Sequence, residues 1–170
     1  MYFPSLKNLK KRQVSDHDID IFDWWLATRK PNTRHYLNPL QFSIDCNIDS
    51  SYSLELFSYC TYEESISLFS VRYVARCPVC QTVLLKHNNV LNKSKIPKQC
   101  YECGSNLAED IVVDHLDVYF SLLKFPERPL AHTSPPVGVG KDNVQTLQGA
   151  QIIEKINGNE VIGKLFSCLN

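Results

Sequence analysis

The sequence predicts an α+β protein in which a small helical unit is followed by a β-rich ribbon built on four cysteines. Residues 16–62 combine cap residues with apolar side chains at helical spacing, which indicates helices. Two Cys-x-x-Cys pairs follow, among β-branched and aromatic residues that favour strands. A hydrophobic content of 44% and a net charge of zero are typical of a globular chain.

The paired cysteines are the most specific feature of the sequence. Cys77 and Cys80 form the first pair, Cys100 and Cys103 form the second, and nineteen residues separate the pairs. This spacer is long enough for a β-hairpin that brings four thiolates to one ion, as in a tetrahedral zinc site. We therefore predict one structural Zn²⁺ bound by these four residues. A thiol redox centre is the alternative that a Cys-x-x-Cys motif leaves open.

The other cysteines and nearby histidines have ordinary surroundings. Cys46 and Cys60 lie near apolar residues and are expected to be buried, while Cys168 lies close to the end of the sequence. His87 and His115 could replace a ligand, but four cysteines already saturate a tetrahedral metal, so we expect both histidines to be solvated.

The residue after each cysteine pair has to turn sharply so that backbone N–H groups face the thiolates. Gly104 meets this need after the second pair because glycine adopts positive φ without steric cost. Gln81 stands at the equivalent place after the first pair, which departs from the glycine preference.

The first helix follows a basic segment. Residues 1–15 carry four basic side chains and no acidic one, and they predict a mobile lead-in. A helix is expected to begin at Ser15 or Asp16 and to stop before Pro31. Its buried stripe comprises Ile19, Phe22, Trp25 and Leu26.

A helix–turn–helix layout is predicted for residues 37–62. The first helix begins at Asn38, the turn lies at Asn47, and the second helix begins at Asp49 or Ser50. The expected apolar faces comprise Leu40 and Ile44 in the first helix, and Leu54, Leu56 and Phe57 in the second. With the preceding helix, these elements make a helical unit over residues 16–64.

The ribbon unit is predicted to span residues 65–125. Residues 65–76 favour one or two strands that lead into the first cysteine pair, and residues 82–86 favour the outgoing strand. Residues 87–89 predict a turn. Two further strands are expected at 111–113 and 118–123.

The remainder of the sequence predicts a linker and a tail. Residues 126–150 hold seven proline and glycine residues, which is typical of a linker. Residues 151–170 are rich in isoleucine and predict a small hairpin or a short helix. We expect this apolar tail to pack with a partner or with another copy of the chain.

Charge is distributed unevenly around the cysteines. Residues 65–101 contain no acidic side chain, whereas residues 102–117 contain no lysine or arginine. The basic side chains are Arg72, Arg76, Lys86, Lys93, Lys95 and Lys98. Two interpretations stay open: a basic face that binds nucleic-acid phosphates, or compensation of the net charge of about −2 that four thiolates and one Zn²⁺ create.

Several functional classes are disfavoured. The sequence near Gly138 lacks the first glycine and the Ser or Thr of a phosphate-binding loop, and no nucleophile motif is present. We therefore expect no enzyme activity and infer no small-molecule substrate. No stretch approaches the roughly 20 apolar residues of a membrane span, and the first residues lack a secretory apolar region. A cytoplasmic location follows, where paired cysteines favour metal over disulfides.

The order of these elements resembles a known arrangement. Residues 37–62, 65–76 and 77–103 together resemble the winged helix and zinc ribbon of the large subunit of general transcription factor IIE and its archaeal relatives. The strand and the start of the first cysteine pair, residues 71–78, are also similar to small ribbon modules of bacterial defence operons.

The acidic helical region decides between the functions that these likenesses imply. All charged residues between Asn38 and Ser70 are acidic, which favours a protein-docking surface over a DNA-reading helix. We therefore predict a non-catalytic structural-zinc protein that acts as an interaction or adaptor module in a larger assembly, with a bacterial defence system as one setting. The alternative is a transcription-related winged-helix and zinc-ribbon protein that binds nucleic acid.

Overall fold

The structure, a computed structural model, describes residues 1–89, 93–108, 112 and 115–128. In this part of the chain, helices and an antiparallel sheet are combined, so the predicted α+β class is confirmed. The helices are α1 (Asp16–Ala27), α2 (Pro39–Cys46) and α3 (Ser50–Tyr62), with 3-10 helices at Pro4–Arg12 and Lys93–Lys95. The strands are β1 (Phe69–Arg76), β2 (Val83–Asn88) and β3 (Leu116–Leu122).

The described residues fall into two compact units. The first comprises residues 1–70 and 120–128, and the second comprises 71–89, 93–108, 112 and 115–119. The predicted linker beyond residue 128 and the predicted tail at 151–170 lie outside the described residues. None of the described helices has the length and apolar character needed to cross a bilayer.

The N-terminal segment differs from the predicted mobile lead-in. Residues Pro4–Arg12 form a 3-10 helix, and Phe3, Leu6 and Leu9 are buried at the three-residue period of that helix. The buried carboxylate of Asp23 accepts the two backbone N–H groups just before this helix at 2.6 and 2.7 Å. The four basic residues of this segment are all exposed, which is why charge alone suggested a solvated segment.

Helix α1 begins where the sequence predicts. The Ser15 hydroxyl accepts the backbone N–H of Asp18 at 3.1 Å and caps the helix. The helix ends at Ala27, four residues before Pro31, because the following backbone closes a turn at Thr28. The predicted buried stripe is confirmed and comprises Ile19, Phe22, Trp25 and Leu26.

Helices α2 and α3 have the predicted starts and the predicted turn. The Asn38 side chain caps α2, Asn47 ends it in the left-handed region with φ 52°, and Asp49 caps α3. The prediction that α2 buries the face with Leu40 and Ile44 is wrong, however. Ile44 is 37% exposed, and α2 instead buries the face that carries Phe42 and Cys46. The two candidate faces are about equally apolar, so packing against neighbouring elements decided between them.

An aromatic cluster forms the core of the first unit. Its rings belong to Phe22, Trp25, Phe42, Phe57, Phe69 and Phe120. Phe57 touches all the others, with ring-centroid distances of 5.0–6.1 Å. Buried Asp45 closes one side of the cluster by accepting the indole N–H of Trp25 at 2.7 Å. These contacts tie α1, α2 and α3 to Phe69 of β1 and Phe120 of β3.

The sheet has the strand order β2-β1-β3. Strand β1 begins at Phe69, later than predicted, because Ser67 takes a positive φ of 39°. Strands β1 and β2 pair antiparallel, with a register shift between Ala75 and Arg76. The predicted turn at 87–89 is shorter than expected, since the strand continues through Asn88 and only Asn89 has a positive φ.

The last strand prediction is confirmed in part. Strand β3 covers most of the predicted segment 118–123 and begins two residues earlier. The predicted strand at 111–113 is described only at Val112. The N–H of Val112 donates to the carbonyl of Ala108 at 3.1 Å, which is a helical bond and not a ladder bond.

Candidate metal centre

The four predicted ligand cysteines lie together in the second unit. Their Sγ atoms are all within 4.8 Å of one another. The Sγ atoms of Cys77 and Cys103 are 3.7 Å apart, and those of Cys80 and Cys100 are 3.6 Å apart. A disulfide needs an S–S distance of about 2.05 Å, so all four residues are free thiols. Each close pair joins one Cys-x-x-Cys motif to the other.

This spacing fits a tetrahedral metal ion. Metal–sulfur bonds of about 2.3 Å at tetrahedral angles place the sulfur atoms about 3.8 Å apart. The two shortest distances, 3.6 and 3.7 Å, agree with that value. Four sulfur donors also form a soft ligand set, which suits zinc or iron better than magnesium or calcium. The residues can therefore hold one metal ion.

Both cysteine pairs sit on the same backbone turn. The N–H of Gln81 donates to the carbonyl of Cys77 at 2.9 Å, and the N–H of Gly104 donates to that of Cys100 at 3.0 Å. Gln81 has φ 62° and Gly104 has φ 72°, so both residues occupy the left-handed region. Gln81 therefore adopts, despite its side chain, the conformation that the sequence assigned to glycine. The matched turns present two thiols each to the same point.

Two hydroxyl residues support the cysteines. Thr82 Oγ1 lies 3.3 Å from Cys80 Sγ, and Ser105 Oγ lies 3.1 Å from Cys103 Sγ. Sequence reasoning missed both, although a hydroxyl residue two positions after each pair is a readable pattern. The hydroxyl and backbone amide of Ser105 lower the pKa of Cys103 to about 6, and those of Thr82 also lower the pKa of Cys80. These bonds favour the thiolate, which is the form that binds metal.

The pKa of Cys100 shifts in the opposite direction. The backbone N–H of Cys103 lowers its pKa, but burial and the side-chain bonds with Cys80 and Cys103 raise it by more, to about 11. Without a cation, the crowding of the sulfur atoms therefore favours the protonated form of Cys100. A divalent cation would remove the need for that proton, because it neutralises the crowded negative charge.

The second cysteine pair is anchored to strand β2. The Tyr101 hydroxyl donates to the carbonyl of Val83 at 2.8 Å, and the Gln99 side-chain amide donates to the carbonyl of Gly104 at 2.8 Å. The ring of Tyr101 nevertheless stays 68% exposed, and Val79 in the first pair is 66% exposed. Both turns therefore display a large apolar side chain to solvent.

The six predicted basic residues are placed differently from one another. Arg76 Nε donates to the Asp117 carboxylate at 2.6 Å, and this bond raises the pKa of Arg76. Arg72 is half-buried on β1. The exposed ones are Lys86, Lys95 and Lys98, and the side chain of Lys93 lies outside the described residues. The pair formed by Arg76 and Asp117 therefore balances one positive charge of the acid-free residues 65–101 with one negative charge of residues 102–117.

The remaining thiols and histidines lie outside the cluster. Cys46 and Cys60 are buried as predicted, and burial raises the pKa of both, to about 12 for Cys46. His87 lies in β2 opposite Tyr73 and is half-buried, as is His115. Among the described residues, neither histidine belongs to the group that could hold a metal. Cys168 lies outside the described residues.

Comparisons with known proteins find no relative of this chain. No protein-family model matches the chain, and neither a curated protein nor a solved structure matches it. The resemblance to winged-helix and zinc-ribbon proteins therefore stays a prediction. Functional conclusions rest on the geometry of the cysteine cluster and on the surface around it.

Proposed function

We propose that this protein binds one structural Zn²⁺ and acts as a protein–protein interaction module of a cytoplasmic assembly. The observation that carries the proposal is the distance of 3.6–3.7 Å between the sulfur atoms of opposite cysteine pairs. These distances match the edges of a zinc–thiolate tetrahedron. A defence complex is one setting for such a module, given the likeness of residues 71–78 to defence-operon ribbons.

The ligand set supports a structural role over a catalytic one. Catalytic zinc sites keep a position open for water or substrate, whereas four cysteines fill the tetrahedron. The thiolates of Cys80 and Cys103 are further held by Thr82 and Ser105. Ligands that are fixed in this way orient the two turns and do not exchange readily. The metal then serves to hold the turns and their exposed side chains in place.

The exposed side chains on these turns support a docking surface. Val79 and Tyr101 each lie between the two cysteines of a pair and are 66% and 68% exposed. Metal binding fixes both backbones, so a partner could bury these side chains without ordering a flexible loop first. Rigid aromatic and apolar anchors of this kind often dominate binding energy in protein interfaces.

Replacing Val79 by serine is expected to release the partner and to leave the zinc in place. The tagged full chain would be purified from its native host, and co-purifying proteins and zinc would be quantified by mass spectrometry. We expect a stoichiometric partner whose recovery falls by about tenfold in Val79→Ser, the loss typical of an interface anchor. Leu123→Ser, which changes another exposed apolar residue in the first unit, is the matched control and should retain the partner. Equal recovery from all three proteins would contradict the interaction role.

Nucleic-acid binding is the second candidate. It is favoured by the exposure of Lys86, Lys95 and Lys98 in the second unit, within a stretch that has no acidic side chain. The order of α2, α3 and β1 supports a winged-helix form of this candidate. Against it stand the zero net charge and the engagement of Arg76 by Asp117.

Changing these three lysines to glutamine separates the candidates. If they contact phosphates of duplex DNA, the triple variant should reduce the slope of log K against log salt by about 2.7 units. The matched control changes Lys7, Lys11 and Lys30, which are exposed lysines of the first unit. We expect no measurable binding to DNA or RNA at physiological salt for any of the three proteins. Submicromolar binding that only the second-unit triple variant loses would make nucleic acid the ligand.

A further inference from the structure

In the part of the chain that the structure describes, strand β2 forms an open edge of the sheet. In the order β2-β1-β3, β2 pairs with β1 on one side, and no described residue forms a ladder on its other side. The edge at β3 is different, because Leu37 and Phe120 exchange two backbone hydrogen bonds of 2.9 and 2.8 Å. An uncovered edge strand is a template to which an extended chain can add.

The register shows which backbone groups of β2 point outward. The N–H of Asn89 donates to the carbonyl of Val71 at 2.7 Å, one step beyond the pair of residues 72 and 88. Bonded and non-bonded pairs alternate along an antiparallel ladder. His87 therefore faces β1, whereas the N–H and C=O groups of Lys86 and Asn88 face outward. Two outward positions with this spacing match the repeat of an added strand.

One end of this edge is already closed. The carbonyl of Val83, at the start of β2, accepts the Tyr101 hydroxyl at 2.8 Å. The open stretch is therefore residues 84–88, next to the turn that holds the second cysteine pair. Metal binding fixes that turn, so it also fixes the boundary of the open edge.

Charge selects the kind of chain that can pair here. Lys86 projects from the edge strand itself, and the exposed Lys95 and Lys98 belong to the same unit. Residues 65–101 contain no acidic side chain, so β2 itself carries only positive charge. A second copy of β2 would bring like charges together, which disfavours self-pairing through this edge. An acidic strand would instead gain complementary charge.

We propose that the outer edge of β2 binds an extended acidic segment of a partner protein by strand addition. This inference rests on the proposed interaction function and names the class of partner. Backbone bonds to Lys86 and Asn88 supply affinity, and the lysine side chains supply the preference for acidic sequence. The apolar side chains of Val79 and Tyr101 lie on the turns of the same unit and would bind residues that flank the segment.

The test uses a fluorescent, end-capped octapeptide of alternating valine and glutamate and the zinc-loaded full chain. We expect this probe to bind at least about tenfold more tightly than its valine–lysine counterpart, as measured by anisotropy at physiological salt. Asn88→Pro removes one outward N–H and leaves the bonds to β1 intact, so it should weaken binding by about tenfold. Asn88→Ala keeps that N–H and is the matched control, with affinity close to wild type.

Two further measurements keep the result interpretable. N-methylation of alternate residues of the probe removes the same hydrogen bonds without changing the protein, so it should abolish binding even if Asn88→Pro folds poorly. The backbone amides of Lys86 and Asn88 should exchange hydrogen rapidly in the free chain and more slowly when the probe is bound. The Asn89 amide, which is bonded to Val71, should be slow in both states.

Any one of four results would overturn strand addition. Three of them are slow amide exchange at Lys86 and Asn88 in the free chain, binding that is unaffected by both Asn88→Pro and N-methylation, and equal affinity for the valine–lysine peptide. A single-stranded oligonucleotide that binds more tightly than the probe would also overturn it. Each result leaves zinc content and the Val79→Ser experiment unaffected, so failure here is distinguishable from failure of the proposed function.

Discussion

Replacing Cys77 by serine is expected to abolish stoichiometric zinc binding and to unfold the second unit. A serine hydroxyl is a poor zinc ligand, so the site would be left with three thiolates and an open position. The second unit has a small core, and zinc binding supplies apparent folding energy of about 10 kcal/mol in comparable small sites at neutral pH. The loss is therefore larger than the remaining contacts of this unit can offset.

Elemental analysis and limited proteolysis test this expectation together. Wild type should contain one zinc per chain, and trypsin should cleave slowly after Lys86, because this residue lies within β2. Cys77→Ser should contain no tightly bound zinc and should be cleaved there rapidly. Cys46→Ala is the matched control, since Cys46 is a buried cysteine of the first unit that lies outside the cluster.

Two outcomes would contradict the zinc site. One is wild-type protein that holds no zinc when purified without chelators under reducing conditions. The other is Cys77→Ser protein that keeps one equivalent of zinc with unchanged affinity. Iron in place of zinc would correct the identity of the metal and leave the four-cysteine cluster as its site.

The helix starts could be predicted because capping is local chemistry. Ser15, Asn38 and Asp49 each accept a backbone N–H only two or three residues ahead, so the sequence itself contains both partners. The cysteine cluster was also readable, since ligand type and spacing within each pair define the turn. In both cases the determining residues lie within a few positions of one another.

The missed features depend on partners that are distant in the sequence. The N-terminal 3-10 helix is held by hydrogen bonds to Asp23, about twenty residues away in the sequence. No local sequence pattern indicates those bonds. The short helix α2 has two apolar faces, and only packing shows that Phe42, and not Ile44, is buried. Thr82 and Ser105 were the exception: they were local and readable, but their relation to the thiols emerged only from the distances.

Replacing Phe57 by alanine is expected to destabilise the first unit by about 3–5 kcal/mol, the usual loss for a buried phenylalanine. Phe57 is fully buried in α3, and its ring contacts those of five other aromatic residues. Removal leaves a cavity, and the surrounding rings are too rigid to fill it completely. Offset and edge-to-face ring contacts add to the loss beyond the area that Phe57 buries.

Urea denaturation followed by tryptophan fluorescence measures this loss, because Trp25 lies 6.1 Å from the Phe57 ring between centroids. Phe125→Ala is the matched control, since Phe125 is 80% exposed and its loss should change stability by no more than about 0.5 kcal/mol. Phe57→Leu should fall between the two, because it keeps most of the apolar volume but none of the ring contacts. If Phe57→Ala lowered the free energy of unfolding by less than about 1 kcal/mol, the Phe57 ring would not be the centre of a packed core. In a close-packed interior, a cavity of that size costs more than this.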